Sequence, residues 1–204
     1  MNNITFKQYR NIDLSIFAVL LIVSEAITTV ATNTWFASQP VAISTTALFI
    51  SIVMMRWGGW AAIHATIGGA VFCIASGATP TQFAIYVLGN SLSLLALVWF
   101  RAVEKERIRK SAFLTVFFTV SVYLLLQVGR WLVSLCFGGS VWNIAGYISS
   151  DIISLLFAAV IMLLLRKTDG MIEDQKAYLF RQMREREAEV EAAHAEYSGY
   201  GSED

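Results

Sequence analysis

Charge, histidine, cysteine and proline are all scarce in this sequence. Asp, Glu, Lys and Arg make up 15% of its 204 residues, with two each of Cys, His and Pro. Cys73 and Cys136 lie in apolar stretches, without a CxxC pair or a histidine at ligand spacing, and read as small buried hydrophobes rather than redox or zinc residues. His64 has no Cys, Asp or Glu close to it in sequence and reads as a hydrogen-bonding core residue, so neither a metal nor a cofactor is expected. There is no internal repeat, no low-complexity linker and no patch of interleaved basic and aromatic residues, which removes nucleic acid as an expected partner. Most telling, the connections around Pro40, Pro80 and Gly138-Gly139 contain no lysine or arginine at all.

What the chain has instead is apolar length. A hydrophobic content of 56% and a mean hydropathy of +0.60 are too high for one soluble core and indicate an all-α integral membrane protein. Six stretches, 13–33, 42–57, 59–78, 82–100, 111–138 and 142–165, read as transmembrane helices, the second being short. The first follows Lys7 and Arg10 as a signal peptide would. Its apolar run is too long and lacks a small-x-small cleavage site, so it is expected to be retained, with the mature chain starting near Met1. Fourteen of the fifteen Lys and Arg residues fall before the first span, at Arg56, between spans four and five, or after span six. By the positive-inside rule both termini are then cytoplasmic, and Trp57, Trp60 and Trp99 mark the inner boundary while Trp35 and Trp142 mark the outer. Residues 1–167 form the membrane domain. The remainder, 168–204, turns abruptly to Glu, Arg, Gln and Ala and predicts a cytoplasmic helix over 171–195 with a disordered tail over 198–204.

The exception among the cations is Arg130. With Glu25 and Asp151 it lies inside an apolar segment, and all three are about 12 Å from the same end of their spans. Each costs about 2.5–3.5 kcal/mol or more in hydrocarbon, so three at one depth point to a polar cup. Their neighbours extend it. Tyr86, Asn90 and Ser93 share one helical face with Gln82; Tyr123, Gln127, Arg130 and Ser134 share another; Asn143, Tyr147, Asp151 and Ser154 a third; and span one adds Thr28, Thr29 and Thr32. Below these faces the inner halves of spans four to six, such as 94–100 and 155–165, carry almost nothing polar.

A channel needs a wettable path through both halves, and an ion carrier usually holds its site near the midplane. A cup closed from below fits instead a one-sided receptor for a small polar molecule, with Arg130 for an acidic group and tyrosines for a ring. Arg130 and Asp151, on consecutive antiparallel spans, are equally able to neutralise each other as a structural pair. Ala61, Ala65, Gly69, Cys73 and Gly77 form a stripe of small residues that admits close approach by another helix, of the same bundle or of a separate membrane subunit. Catalysis is not expected. Two further readings are an enzyme acting on a lipid or lipid-linked substrate, and a scaffold that uses the C-terminal helix.

The six spans, the cup and the run Met55-Arg56-Trp57-Gly58-Gly59-Trp60-Ala61-Ala62-Ile63-His64-Ala65, leading to Gly68-Gly69, together resemble the substrate-binding S components of energy-coupling factor (ECF) transporters. The resemblance covers 13–167. It implies a protein of the bacterial cell membrane that takes up a vitamin or related micronutrient together with a transmembrane coupling subunit and two ABC-type ATPases. It further implies ligand contacts from Tyr86, Asn90, Gln127, Arg130, Tyr147 and Asp151, with Glu25 added from its position in the cup, and a lid around 35–40. For the coupling subunit it implies small residues four apart on the first helix. Here Ala18 and Ala26 flank Ile22, which breaks that pattern and leaves the Ala61, Ala65, Gly69 stripe to carry more of the contact.

Overall fold

The computed structural model describes residues 5–38 and 41–200, of which 192–200 are described by their backbone, and all regular structure among them is helical. The elements are α1 (Phe6–Trp35), α2 (Thr46–Trp57), a short 3-10 turn (Gly58–Trp60), α3 (Ala61–Ser76), α4 (Pro80–Asn90), a longer 3-10 helix (Ser91–Val98), α5 (Trp99–Ala102), α6 (Lys105–Lys110), α7 (Ala112–Cys136), α8 (Asn143–Ser150), α9 (Ile152–Leu165) and α10 (Gln175–Tyr200). Four helical runs, Phe6–Trp35, Thr46–Ser76, Pro80–Ala102 and Ala112–Cys136, are long and apolar enough to cross a membrane, and α8 with α9 makes a fifth if that bent pair is one span. The protein is thus a multi-pass, all-helical membrane protein.

Local chemistry sets the helix ends. Thr5 and Thr79 each accept a bond from the backbone N–H three residues on, while Gln8 and Gln82 reach back to the capping residue, closing capping boxes at the starts of α1 and α4. Pro80 fills the first helical position of α4, where its missing N–H costs nothing. Ser111 caps α7 through Leu114 N–H at 3.4 Å. Between α2 and α3, Gly58 takes φ +61°, a turn that a side chain would strain. There the Thr46–Ser76 run folds back, because Thr46 at the start of α2 packs directly on Gly68 of α3.

Several expected boundaries move. The second stretch, expected over 42–57, is helical only from Thr46, and its 12 residues are about 18 Å long, well short of the hydrocarbon core. Every residue from Thr46 to Arg56 is buried, so α2 is the central post of the bundle, which is why it is apolar all round. The fourth stretch changes at Ser91 into eight residues of 3-10 helix, longer than such turns usually run. The sixth breaks at Asp151, where α8 and α9 meet at 46°. The C-terminal helix begins at Gln175 rather than 171 and runs through 198–200, expected to be disordered; 201–204 lie outside the described residues. Cys73 is buried as expected, but Cys136 is exposed.

Small residues are consumed inside the bundle. Ala61, Ala65 and Cys73 are buried, and a Cβ on Gly69 would come within 2.9 Å of the Tyr86 backbone, so the α3 stripe from Ala61 to Cys73 is covered within the same chain, and Gly77 at its end is exposed. It is not a free surface for a separate subunit. Ala18 and Ala26 on α1 are half-buried, with Ile22 exposed between them. His64 bonds through Nε2 to the Leu14 carbonyl at 3.2 Å, the core role expected of it.

One end of the bundle is tied by charge. Asp13 on α1 receives Arg56 through two bonds, 2.6 Å from Nη2 and 2.9 Å from Nε, and the Trp57 indole N–H at 2.6 Å. Nη1 of Arg56 continues to the carbonyls of Gly170 and Met171 in the segment after α9. Beside it Lys105 pairs with Asp174 at 2.6 Å, and Glu173 takes both Arg109, at 3.1 Å, and Arg181, at 3.0 Å. The polar cup lies at the opposite end.

Candidate functional site

The site begins with a backbone contact. A Cβ on Gly89 would lie 2.6 Å from Cα of Arg130, and one on Gly129 would land on the Gly89 carbonyl, so α4 and α7 touch main chain to main chain. Only glycine at both positions permits that approach. It sets Asn90 beside Arg130, whose Nε donates to Asn90 Oδ1 at 2.8 Å. Asn90 is held in turn by its amide, which donates to the Ala65 carbonyl at 3.1 Å, on the small stripe of α3.

From Arg130 the network crosses to the helix break. Nη1 donates to Gln127 Oε1 at 3.2 Å and to Asp151 Oδ2 at 3.3 Å, and Gln127 Nε2 donates to the same carboxylate oxygen at 2.9 Å. The second oxygen, Oδ1, accepts a short bond from the Ser154 hydroxyl. Asp151 sits where α8 stops and α9 starts, so the break presents its side chain to α7 while Ser154 N–H satisfies its own carbonyl at 3.1 Å. The segment before α2 is fastened here too. Ala42 N–H donates to the Ser150 carbonyl at 2.8 Å, and Ser44 N–H to the Ser154 hydroxyl at 2.7 Å.

That segment brings in the third charge. Thr45 donates both its backbone N–H, at 2.7 Å, and its hydroxyl, at 2.9 Å, to Glu25 Oε2. Glu25 therefore acts as an external cap on the first turn of α2, whose own capping residue makes no side-chain bond to the helix. Its other oxygen, Oε1, is buried without a partner among the described residues, as is the nearby Thr29 hydroxyl one turn further along α1. Glu25, Asn90, Gln127, Arg130 and Asp151 are all buried, and a path of bonds through Ser44-Thr45 and Ser154 links Glu25 to Asp151 and Arg130.

Tyr86 and Tyr147 stand differently. The Arg130 guanidinium lies 4.4 Å over the Tyr86 ring, which stacks on Phe72 at 4.6 Å on its own account. Tyr86 and Tyr147, with Asn143, Gly146 and Ser150, wall a shallow open cavity of about 260 Å³. Of the guanidinium nitrogens, Nε and Nη1 are engaged; Nη2 makes no hydrogen bond among the described residues. Part of the expected lid, 35–38, is described and exposed at Trp35 and Phe36, while Gln39 and Pro40 lie outside the described residues.

The periodic polar faces of α4 and α7 are the faces that meet. Sequence reasoning missed Gly89 and Gly129, which the polar residues adjoining them could have flagged, and Ser44 and Thr45, which lie ahead of a helix and carry no periodicity. It also missed Asp13, read only as the start of a span. Among the described residues no group of three or more His, Cys, Asp or Glu is placed to hold a metal ion. The fold and site define an integral membrane protein of packed helices with a buried charged network under a small cavity at one end. Compared with protein-family models, with curated proteins and with solved structures, the chain matches none.

Proposed function

We propose that this chain is the substrate-binding subunit of a membrane uptake system, of the kind represented by the S components of ECF transporters. It would take a small, water-soluble micronutrient carrying an acidic group and a ring. The observation that supports this most directly is the unused Nη2 of Arg130, on a guanidinium whose other nitrogens are fixed and which lies on a ring, Tyr86, that also walls the 260 Å³ cavity. A fixed guanidinium with one free nitrogen is preorganised for an anion. Tyr86 and Tyr147 give a ring two aromatic walls.

In this reading α1, the short α2 together with residues 42–45 ahead of it, α3, the α4–α5 run, α7 and the bent α8–α9 pair are six passes, with both termini cytoplasmic and the cavity facing out. The charged end that ties Asp13, Arg56 and Glu173 then faces the cytoplasm, in keeping with the lysine and arginine distribution. Arg130, Asn90, Gln127 and Asp151 form the floor, Tyr86 and Tyr147 the walls, and Glu25 shapes the floor by capping α2. Energy comes from outside the chain, from a transmembrane coupling subunit and two ATPases.

The test is mass spectrometry of small molecules released from the purified protein, followed by calorimetry against a panel of vitamins and related compounds. A bound compound with a carboxylate or phosphate is expected, and Arg130→Lys, which keeps the charge opposite Asp151 but loses the fork, is expected to weaken it at least about ten-fold. Tyr147→Ala should cost about two- to ten-fold. No bound compound and no affinity across the panel would end the proposal.

A further inference from the structure

A second cavity lies at the other end of the molecule. Its volume is about 440 Å³, and it is walled by Phe6 and Tyr9 of α1 and by Lys176, Leu179, Phe180 and Met183 of α10. The Tyr9 hydroxyl donates to Gln175 Oε1 at 3.0 Å, which fixes the start of α10 against the first turns of α1 and so forms the hollow. Its walls are apolar apart from the tyrosine hydroxyl and one cation, and no carboxylate lines it. Large apolar side chains stand open to the surroundings: Phe6 is 44% exposed, Phe180 55% and Met183 57%. A helix so charged elsewhere would not leave these in water without cause.

Depth and charge identify the occupant. The outward apolar face of α1 begins at Ile12, 51% exposed, and Phe6 lies six residues before it, about 9 Å further out along the axis. That is the headgroup level of a bilayer in which α1 is embedded. Lys176, Phe180 and Arg184 recur four apart and so share one face of α10. Neither Lys176 nor Arg184 has an ion-pair partner among the described residues, although Arg109, Lys105 and Arg181 close by are all paired. From Gln175 to Arg186 the helix holds four cations, Lys176, Arg181, Arg184 and Arg186, against one carboxylate, Glu185.

We propose that this groove binds an anionic phospholipid of the adjoining leaflet, an acyl chain lying between Phe6, Leu179, Phe180 and Met183 and the phosphate headgroup meeting Lys176 and Arg184. The first half of α10 is thereby a membrane-surface helix, and, Glu185 apart, the acidic residues of the helix begin only after it, at Glu187. A neutral protein partner would leave the unpaired cations unexplained.

The full-length protein is examined by native mass spectrometry from micelles that contain phosphatidylglycerol and phosphatidylcholine in equal amount. A preference of at least about five-fold for phosphatidylglycerol is expected, falling toward parity in Lys176→Glu/Arg184→Glu and with added salt. Arg107→Glu, on the exposed side of α6, serves as the control and should keep the preference. Phe180→Ser should reduce retention of both lipids while leaving their ratio unchanged. The proposal fails if the double variant keeps the wild-type ratio, if Arg107→Glu removes the preference equally, or if the bound mass is a polypeptide or a second copy.

Discussion

Arg130 and Asp151 are joined by a bond of 3.3 Å that is not the tightest in its cluster; Asn90 and Gln127 hold them at 2.8 and 2.9 Å. A pair buried this way stays in place because the Asn90 and Gln127 amides and the Ser154 hydroxyl fill most of its remaining donors and acceptors, leaving Nη2 of Arg130 open. Removing one charge is therefore worse than removing both. Asp151→Asn should cost about 3–5 kcal/mol, read as a fall in thermal stability in detergent. Glu25 takes a different position. It is a cap for α2, and Glu25→Gln is expected to lower stability by about 1–2 kcal/mol while changing ligand affinity little, which calorimetry beside thermal unfolding separates. A loss of binding without a loss of stability would instead place Glu25 in the ligand's contact set.

Two features of the helices build the site. The break between α8 and α9 frees the backbone around Asp151; the chain before α2 satisfies the Ser150 carbonyl through Ala42 N–H and holds the Ser154 hydroxyl through Ser44 N–H. The second is the crossing of α4 on α7 at Gly89 and Gly129, where no side chain fits. Gly129→Ala should separate the helices and stretch the Asn90–Arg130 bond, at a cost of about 1–3 kcal/mol or more. Thermal unfolding and calorimetry on the same sample should both register the loss. At the far end Arg109 bonds Glu106 on the same helix, α6, at 2.8 Å and keeps that carboxyl below its usual range. The contribution is present above the ordinary glutamate value and is lost as pH falls through the lowered one. It is small, because Glu106 is exposed.

At the scale of the whole molecule the chain is clamped at both ends. The cup joins α1, α2, α4, α7 and α9, whereas the opposite network joins α1, α2, α6 and the residues after α9. Ile172 and Gln175 are fully buried there, so the segment following the membrane domain belongs to the fold rather than to a tail. Truncation after Thr168 should lower the melting temperature, because it strips Arg56 of two carbonyl partners and Arg109 of Glu173. Ending the chain at Gln182 should leave stability near that of the full chain. Equal stability of the two truncations would show that the clamp contributes nothing.

Composition and hydropathy were enough to indicate a helical membrane protein, because twenty apolar residues in a row have no other low-energy disposition. The polar faces of α4 and α7 were also legible, since a fixed 3.6-residue repeat places Tyr86 with Asn90 and Gln127 with Arg130 whatever the tertiary arrangement. Helix ends, the kink at Asp151 and the start of the already short α2 at Thr46 were not, because each depends on a backbone group finding a partner far away in sequence: Ser150 with Ala42, Thr45 with Glu25. The same holds for charge. Arg56 read as an interfacial cation marking a loop, yet three-dimensional neighbours made it a buried clamp between Asp13 and Gly170-Met171. Sequence thus fixed which residues must escape lipid. Which partner each of them found was decided only when distant helices met, because a hydrogen bond is a matter of a few ångströms and local periodicity carries no such distance.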